Sequence, residues 1–239
     1  MPNLPSLEEL LKAGVHFGHQ KSRWHPKMKP FLYGIRQGVH IIDLEKTSVQ
    51  LKKAMDFVKQ VAAGGGMILF TSLKVQAHDI VKQAAMEVNM PYVTGRWLGG
   101  VFTNFSIIYK LIQKLDKMEA DQKSGDWEKY SKKERLDKEK YLAGLRDLVG
   151  GVRGLNKIPQ AMFLVGLREG KNALAEAKKV NVPVISIADS NTNPTKVEYP
   201  IPANDDAIKS LQLITGLVAQ AIKEGQAEAL SGKVKEEVK

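Results

Sequence analysis

Two stretches of this chain repeat one plan, and that plan leaves few folds open. Residues 67–71 (Met-Ile-Leu-Phe-Thr) and 161–165 (Ala-Met-Phe-Leu-Val) are short apolar runs of strand character. Helical periodicity follows each, over 75–88 and 172–180, and a further apolar run then opens on proline, at 91–93 and 183–188. Asn89-Met90-Pro91 and Asn181-Val182-Pro183 stand at the same place in the two units. Strands alternating with helices of this length run parallel, because only a long crossover brings the chain back to the same end of a sheet. A proline at the first residue of a strand removes no central ladder bond, so both proline-led runs fit. The expectation is an open parallel α/β sheet.

The flanking segments are read from caps and periods. Ser6-Leu7-Glu8-Glu9 is a capping box that predicts a helix over 7–13, ended by Gly14. Extended runs at 31–35 and 39–42, separated by Gly34 and Gln37-Gly38, predict strands or a hairpin. Asp43 caps a second helix with Leu44, Val49 or Leu51, Ala54, Met55, Val58 and Val61 at helical spacing, and Gly64-Gly65-Gly66 stops it. Asp205 is expected to start a last helix bearing Ile208, Leu211, Leu213 or Ile214, Leu217, Val218 and Ile222 on one side. Residues 105–152 break the plan, being too long for a βα loop and too charged for core. Ile108, Leu111, Leu115 and Met118, then Leu142, Leu145, Val149 and Val152, step by three and four, which predicts an antiparallel helical hairpin turned at Ser124-Gly125-Asp126. The organisation expected is a discontinuous α/β domain over 1–104 and 153–225, a coiled-coil hairpin over 105–152 and a polar tail over 226–239. Between Ser106 and Gly150 lie eleven Lys or Arg and nine Asp or Glu, so the hairpin reads equally well as a solvated coiled coil or an RNA-binding arm.

Function is signalled near the amino terminus. Residues 12–40 hold Lys12, Lys21, Arg23, Lys27, Lys29 and Arg36, and no Asp or Glu. Phe17, Trp24, Phe31 and Tyr33, four of the five histidines and four glycines are interleaved with these six cations. Cations suit phosphates, flat rings suit exposed bases, and glycines permit close backbone approach, a mixture that fits RNA. Pro26 and Pro30 are expected to stiffen an extended path here. The net charge of +10 and a pI near 9.5 point the same way, to a polyanionic partner. No run of eighteen apolar residues exists, the amino terminus lacks a secretion pattern, and zero cysteines exclude disulfides and thiolate metal sites. A soluble cytoplasmic protein without a membrane role is expected.

Enzyme motifs are missing. There is no G-x-x-x-x-G-K-[ST] and no G-x-S-x-G, and Gly64-Gly65-Gly66 precedes a strand, whereas a dinucleotide loop follows one. His16, His19, Asp189, Asp205 and Asp206 contain donors for a divalent ion, and His16, His19, Asp189 and Asp205 could serve a metal-dependent hydrolase; Asp205 is equally a helix N-terminal carboxylate. In Gly95-Arg96-Trp97-Leu98-Gly99-Gly100, Arg96 and Trp97 could clamp RNA. Alternatively, Trp97 and Leu98 plug the gap beside the sheet while Arg96 pairs with a carboxylate.

The segments GVHFGHQKSRWHPKMKPFLYGIRQGVHIIDLEKT, GRWLGGVFTNF and DSNTNPTKVEYPIPANDDAIKSLQLI together resemble the bacterial family of the second protein of the small ribosomal subunit, from Leu10 to Gly225. The resemblance implies a flavodoxin-like, doubly wound parallel sheet with an inserted antiparallel coiled-coil helical hairpin, and no catalysis. It implies a structural constituent of the small subunit that binds ribosomal RNA near the junction of head and body. The RNA-binding candidates are His16, Gln20, Lys21, Arg23, Trp24, Lys27, Lys29, Arg36, Arg96, Trp97 and Asn104. No cofactor is required, and one divalent ion, zinc or magnesium, is a candidate for His19, Asp189 and Asp205. Expected neighbours are the subunit's first, third and fifth proteins, the messenger-binding first protein using this one as a platform, with one copy per subunit and no homo-oligomer. A free-standing RNA chaperone is the remaining alternative.

Overall fold

The computed structural model describes residues 4–237. Helix α1 (Leu7–Lys12) begins at the expected capping box, Ser6 Oγ accepting from Glu9 N while Ser6 N donates to Glu9 Oε2. Strands β1 (Phe17–Gln20), β2 (Leu32–Arg36) and β3 (Val39–Ile42) form a small antiparallel sheet in the order β1-β3-β2. The path between β1 and β2 is not the extended one that its prolines suggested. Residues Pro26–Phe31 turn as a 3-10 helix, with Pro26 at its start, where a missing N–H costs nothing.

Asp43 caps α2 (Leu44–Ala63) by accepting from Glu45 N and Lys46 N. Of the two alternatives for its buried face, Leu51 is taken and Val49 is left exposed. The repeated plan then unfolds as expected. Strand β4 (Ile68–Ser72) leads through a 3-10 turn at Val75–Ala77 into α3 (His78–Glu87) and β5 (Tyr92–Thr94). Helices α4 (Phe105–Lys123) and α5 (Lys132–Val149) intervene, and β6 (Ala161–Val165), α6 (Lys171–Lys179) and β7 (Val184–Ala188) follow. The repeated asparagine explains how each helix stops. Asn89 and Asn181 adopt left-handed backbone at φ 53 and 55, and the next residue's N–H, of Met90 or Val182, reaches back to the carbonyl of Ala85 or Ala177 at 2.9 Å in both units. Asparagine tolerates that conformation and proline follows as strand entry.

Strand β8 (Tyr199–Pro202) was not anticipated. Its two prolines read as a breaker, yet β8 pairs only with β7 at the sheet edge, where an absent donor is tolerated. The sheet order is β5-β4-β6-β7-β8, all parallel, which is the flavodoxin-like order. Alternation sorts the two faces. Phe70, Phe163, Val165, Ile185 and Ile187 pack one way against α2, α3 and α7 (Ile208–Glu237), while Leu69, Met162, Leu164 and Val184 pack the other way against α4, α5 and α6. The sheet is therefore doubly wound. The last helix opens at Ile208 rather than Asp205, and it runs through the expected polar tail as far as Glu237.

The charged insertion is a pair of helices that share the second core. Gly125 turns the chain at φ 81, and Ser131 with Glu134 forms a capping box that starts α5. Ile108, Ile112 and Leu115 are buried with Leu142, Leu145 and Val149, so Ile112 takes the deep place expected of Leu111. Trp127, in the connecting turn, is buried with them. Arg146 and Arg153 both reach Glu119 and hold its carboxyl below the usual range.

Candidate nucleic-acid interface

The acid-free segment is fixed to the carboxyl edge of the large sheet by its own backbone. His19 N donates to Ser190 Oγ at 2.7 Å, His25 N donates to Ser190 O at 2.8 Å, and Asn204 N donates to Val15 O at 3.0 Å. A Cβ at Gly18 would lie 2.7 Å from Ser190 Oγ, so this glycine lets β1 approach the loop after β7. Gln20, Lys21, Arg23, Trp24, Lys27 and Lys29 are thereby set out on one short, exposed path. Among the described residues none of these four cations has a carboxylate within ion-pair distance. Trp24 is 38% exposed, its ring tilted against that of His40 with centroids 5.2 Å apart. His25 Nδ1 accepts from Lys27 N and caps the 3-10 turn.

Other predicted residues lie elsewhere. His16 is half-buried, its ring 4.0 Å from that of Phe17, and burial lowers its pKa. Arg36 ends β2 beside a groove of about 660 Å³ lined by Leu11, Phe17, Tyr33 and Ile35. Trp97 is 9% exposed and donates Nε1 to Glu176 Oε1 at 2.9 Å, so it plugs the gap beside the sheet and has no ring face for a base. Glu176 also accepts from the N–H groups of Gly100, Phe102 and Thr103. Burial works against that carboxylate, and these donors outweigh it, holding its pKa below the ordinary value. Arg96 is exposed and pairs with no carboxylate among the described residues; Asn104 precedes α4 without a side-chain capping bond.

The candidate metal residues do meet. His19, Asp189, Asp205 and Asp206 bring ligand atoms within 4.8 Å of one another, and His16 lies outside the group. His19 Nδ1 is 3.0 Å from Asp189 Oδ1, and that bond, followed by the nearby carboxylates, raises the imidazole pKa despite burial. Asp205 is 2% exposed, and burial together with the Asp189 charge pushes its pKa up to about 6. Sequence reasoning missed the cation that answers them. Lys74 Nζ lies 2.6 Å from Asp205 Oδ1 and 2.7 Å from Asp206 Oδ1. Burial opposes its charge, but the two aspartates outweigh burial and raise its pKa. Lys74 follows β4 at the point where strand order reverses between β4 and β6, where open sheets gather charged groups, and that position was the available signal. Asp205 is not a helix cap; its N–H donates to Asp189 Oδ2, while Asn204 Oδ1 accepts from Asp206 N and Ala207 N ahead of α7.

The donor set suits zinc or magnesium by type, one imidazole nitrogen with carboxylate oxygens. The space between Asp205 and Asp206 is nevertheless filled by an ammonium, so as arranged these residues form a closed ion-pair network that a dication could enter only by displacing Lys74.

Against this geometry, the sequence profile of the family described as "Ribosomal protein S2" matches residues 10–225. The chain belongs to the ribosomal protein S2 family. A relative named small ribosomal subunit protein uS2 from Bdellovibrio bacteriovorus is 47% identical over 223 residues, covering 93% of this chain and 71% of that protein. The uS2 proteins of Mycolicibacterium vanbaalenii and Nocardia farcinica are each 45% identical, covering 95% and 97% of this chain and 84% and 82% of theirs. A ribosomal protein S2 family member is a structural protein of the small subunit in the cytoplasmic ribosome, not an enzyme. The hydrolase alternative falls with that assignment. Among the described residues no helix is long and apolar enough to cross a membrane.

Proposed function

We propose that this ribosomal protein S2 family member binds small-subunit ribosomal RNA through the segment from Gln20 to Lys29, with Arg96 as an outlying contact. One observation carries this reading: a run of cations without an ion-pair partner among the described residues, around a half-exposed tryptophan, pinned by backbone hydrogen bonds to Ser190. Such a surface is preorganised, so little ordering entropy opposes association with a polyanion. Binding falls steeply with salt, because each neutralised phosphate releases counterion. The test is a binding isotherm with small-subunit ribosomal RNA at several salt concentrations. Replacing Lys21, Arg23, Lys27 and Lys29 by alanine is expected to lower both affinity and salt slope, and unchanged binding refutes the reading.

Protein neighbours are the second part of the proposal, namely the subunit's first, third and fifth proteins, with the first using this chain as a platform. Family membership supports it, and so does the exposed apolar strip of Leu11, Phe17, Tyr33 and Ile35, which suits a protein better than RNA. A divalent ion at His19, Asp189 and Asp205 is the third part, and it requires Lys74 to move away. Zinc titration of thermal stability checks it: the ion is expected to stabilise a Lys74→Met variant more than the wild type. Equal response of the two proteins, or none, overturns it.

A further inference from the structure

A second basic surface stands at the same sheet edge, and no feature described so far uses it. A cleft of about 410 Å³ opens between the loop after β6, the outer face of α6 and the loop after β7. Arg168, Lys171, Lys178 and Lys196 line it, and all four are exposed. Among the described residues none of the four has a carboxylate within ion-pair distance, and no Asp or Glu lines the cleft. The nearest acid on α6, Glu176, is committed to Trp97 and to three backbone amides. Like charges gathered without an internal counterion repel one another, so an external anion is what the arrangement favours.

The cleft has more than charge. Leu167, Leu174 and Ala175 form an apolar wall beside the cations, and Asn191 and Asn193 line the cleft from the β7 loop, Asn193 Oδ1 accepting from Thr195 N and Oγ1. Asn191 Oδ1 is buried without a hydrogen-bond partner, while its Nδ2 is engaged with His19 Nε2. His25 also lines the cleft, and it sits within the segment from Gln20 to Lys29. The cations of the cleft therefore continue the path of Lys21, Arg23, Lys27 and Lys29 around the sheet edge. A concave pocket with an apolar wall and cations at its mouth suits a nucleotide unit, its phosphates on the cations and its base or sugar on the wall.

We propose that the cleft formed by Arg168, Lys171, Lys178 and Lys196 binds consecutive phosphates of an RNA strand that continues from the amino-terminal segment. This rests on the RNA-binding reading above and extends it to a site on α6. The test compares three proteins: the wild type, a Lys171→Ala/Lys178→Ala/Lys196→Ala variant, and a Lys52→Ala/Lys53→Ala/Lys82→Ala control that removes equal charge from α2 and α3. Each is titrated with small-subunit ribosomal RNA, with a short single-stranded RNA, with a nucleoside monophosphate and with inorganic phosphate. The cleft variant is expected to bind both RNAs about tenfold more weakly, with a salt slope lower by about two, while the control changes little. Unchanged RNA binding by the cleft variant, or equal loss in the control, overturns the proposal. If the monophosphate or inorganic phosphate binds the wild type as tightly as RNA does, the cleft is a small-anion site and the RNA assignment fails. Absence of RNA binding by the wild type refutes instead the reading on which this one rests.

Discussion

At Lys74 the cost of a single charge can be measured. Its ammonium is what makes a 2% exposed Asp205 tolerable beside Asp189, and removing one partner of such a pair leaves an uncompensated charge in a low-dielectric place. Lys74→Met is expected to destabilise the protein by about 2 kcal/mol or more by denaturant unfolding, with recovery when Asp205→Asn is added. Trp24 gives a functional counterpart. In the proposed RNA complex, a base stacked on this half-exposed ring would contribute roughly 1–3 kcal/mol, so Trp24→Ala is expected to weaken an RNA isotherm about tenfold while leaving the unfolding midpoint nearly unchanged. Glu176 links a residue to pH. Its folded pKa lies below the unfolded value, so its contribution is complete above the ordinary carboxylate range and disappears as pH falls through the lowered value. Below about pH 4.5 the thermal midpoint is expected to fall less steeply for Glu176→Gln than for the wild type.

Among the elements, those with strong local signals were legible. Strands β4, β6 and β7 are buried throughout and mostly apolar, and the Asn-x-Pro phrases that announced a repeat are helix stop and strand entry in one. Strand β8 stayed hidden because Pro200 and Pro202 break the usual pattern, and β1 because Phe17-Gly18-His19-Gln20 has no alternation to read. The 3-10 turn at Pro26–Phe31 was hidden too, since prolines spaced four apart suit an extended path as well as a tight one. Site partners were less legible than elements, for Lys74 meets Asp205 across 131 residues and Glu176 meets Gly100 across 76, distances over which no local pattern carries information. Packing between elements sets a further prediction. A Cβ at Gly151, after α5, would run into the carbonyl oxygen and ring of Tyr92 in β5. Gly151→Ala is expected to lower stability by about 1–3 kcal/mol, read from a denaturant midpoint, whereas Gly144→Ala, which meets nothing within 4 Å, is not.

For the molecule as a whole, the doubly wound sheet is a frame whose carboxyl edge carries nearly everything distinctive. The His19 and Lys74 network, the docked acid-free segment and the basic cleft of α6 all gather there. The arrangement has a bearing on timing. Val15, His19 and His25 are fastened by Ser190 and Asn204, near the far end of the chain, and not by their sequence neighbours alone. During synthesis at roughly 5–20 residues per second, the cations of the amino-terminal segment emerge roughly ten to thirty seconds before the residues that hold them in place are made. An unfinished chain thus has the composition of an RNA binder without its shape, and the completed surface is itself a signal that translation of this protein has passed Asn204.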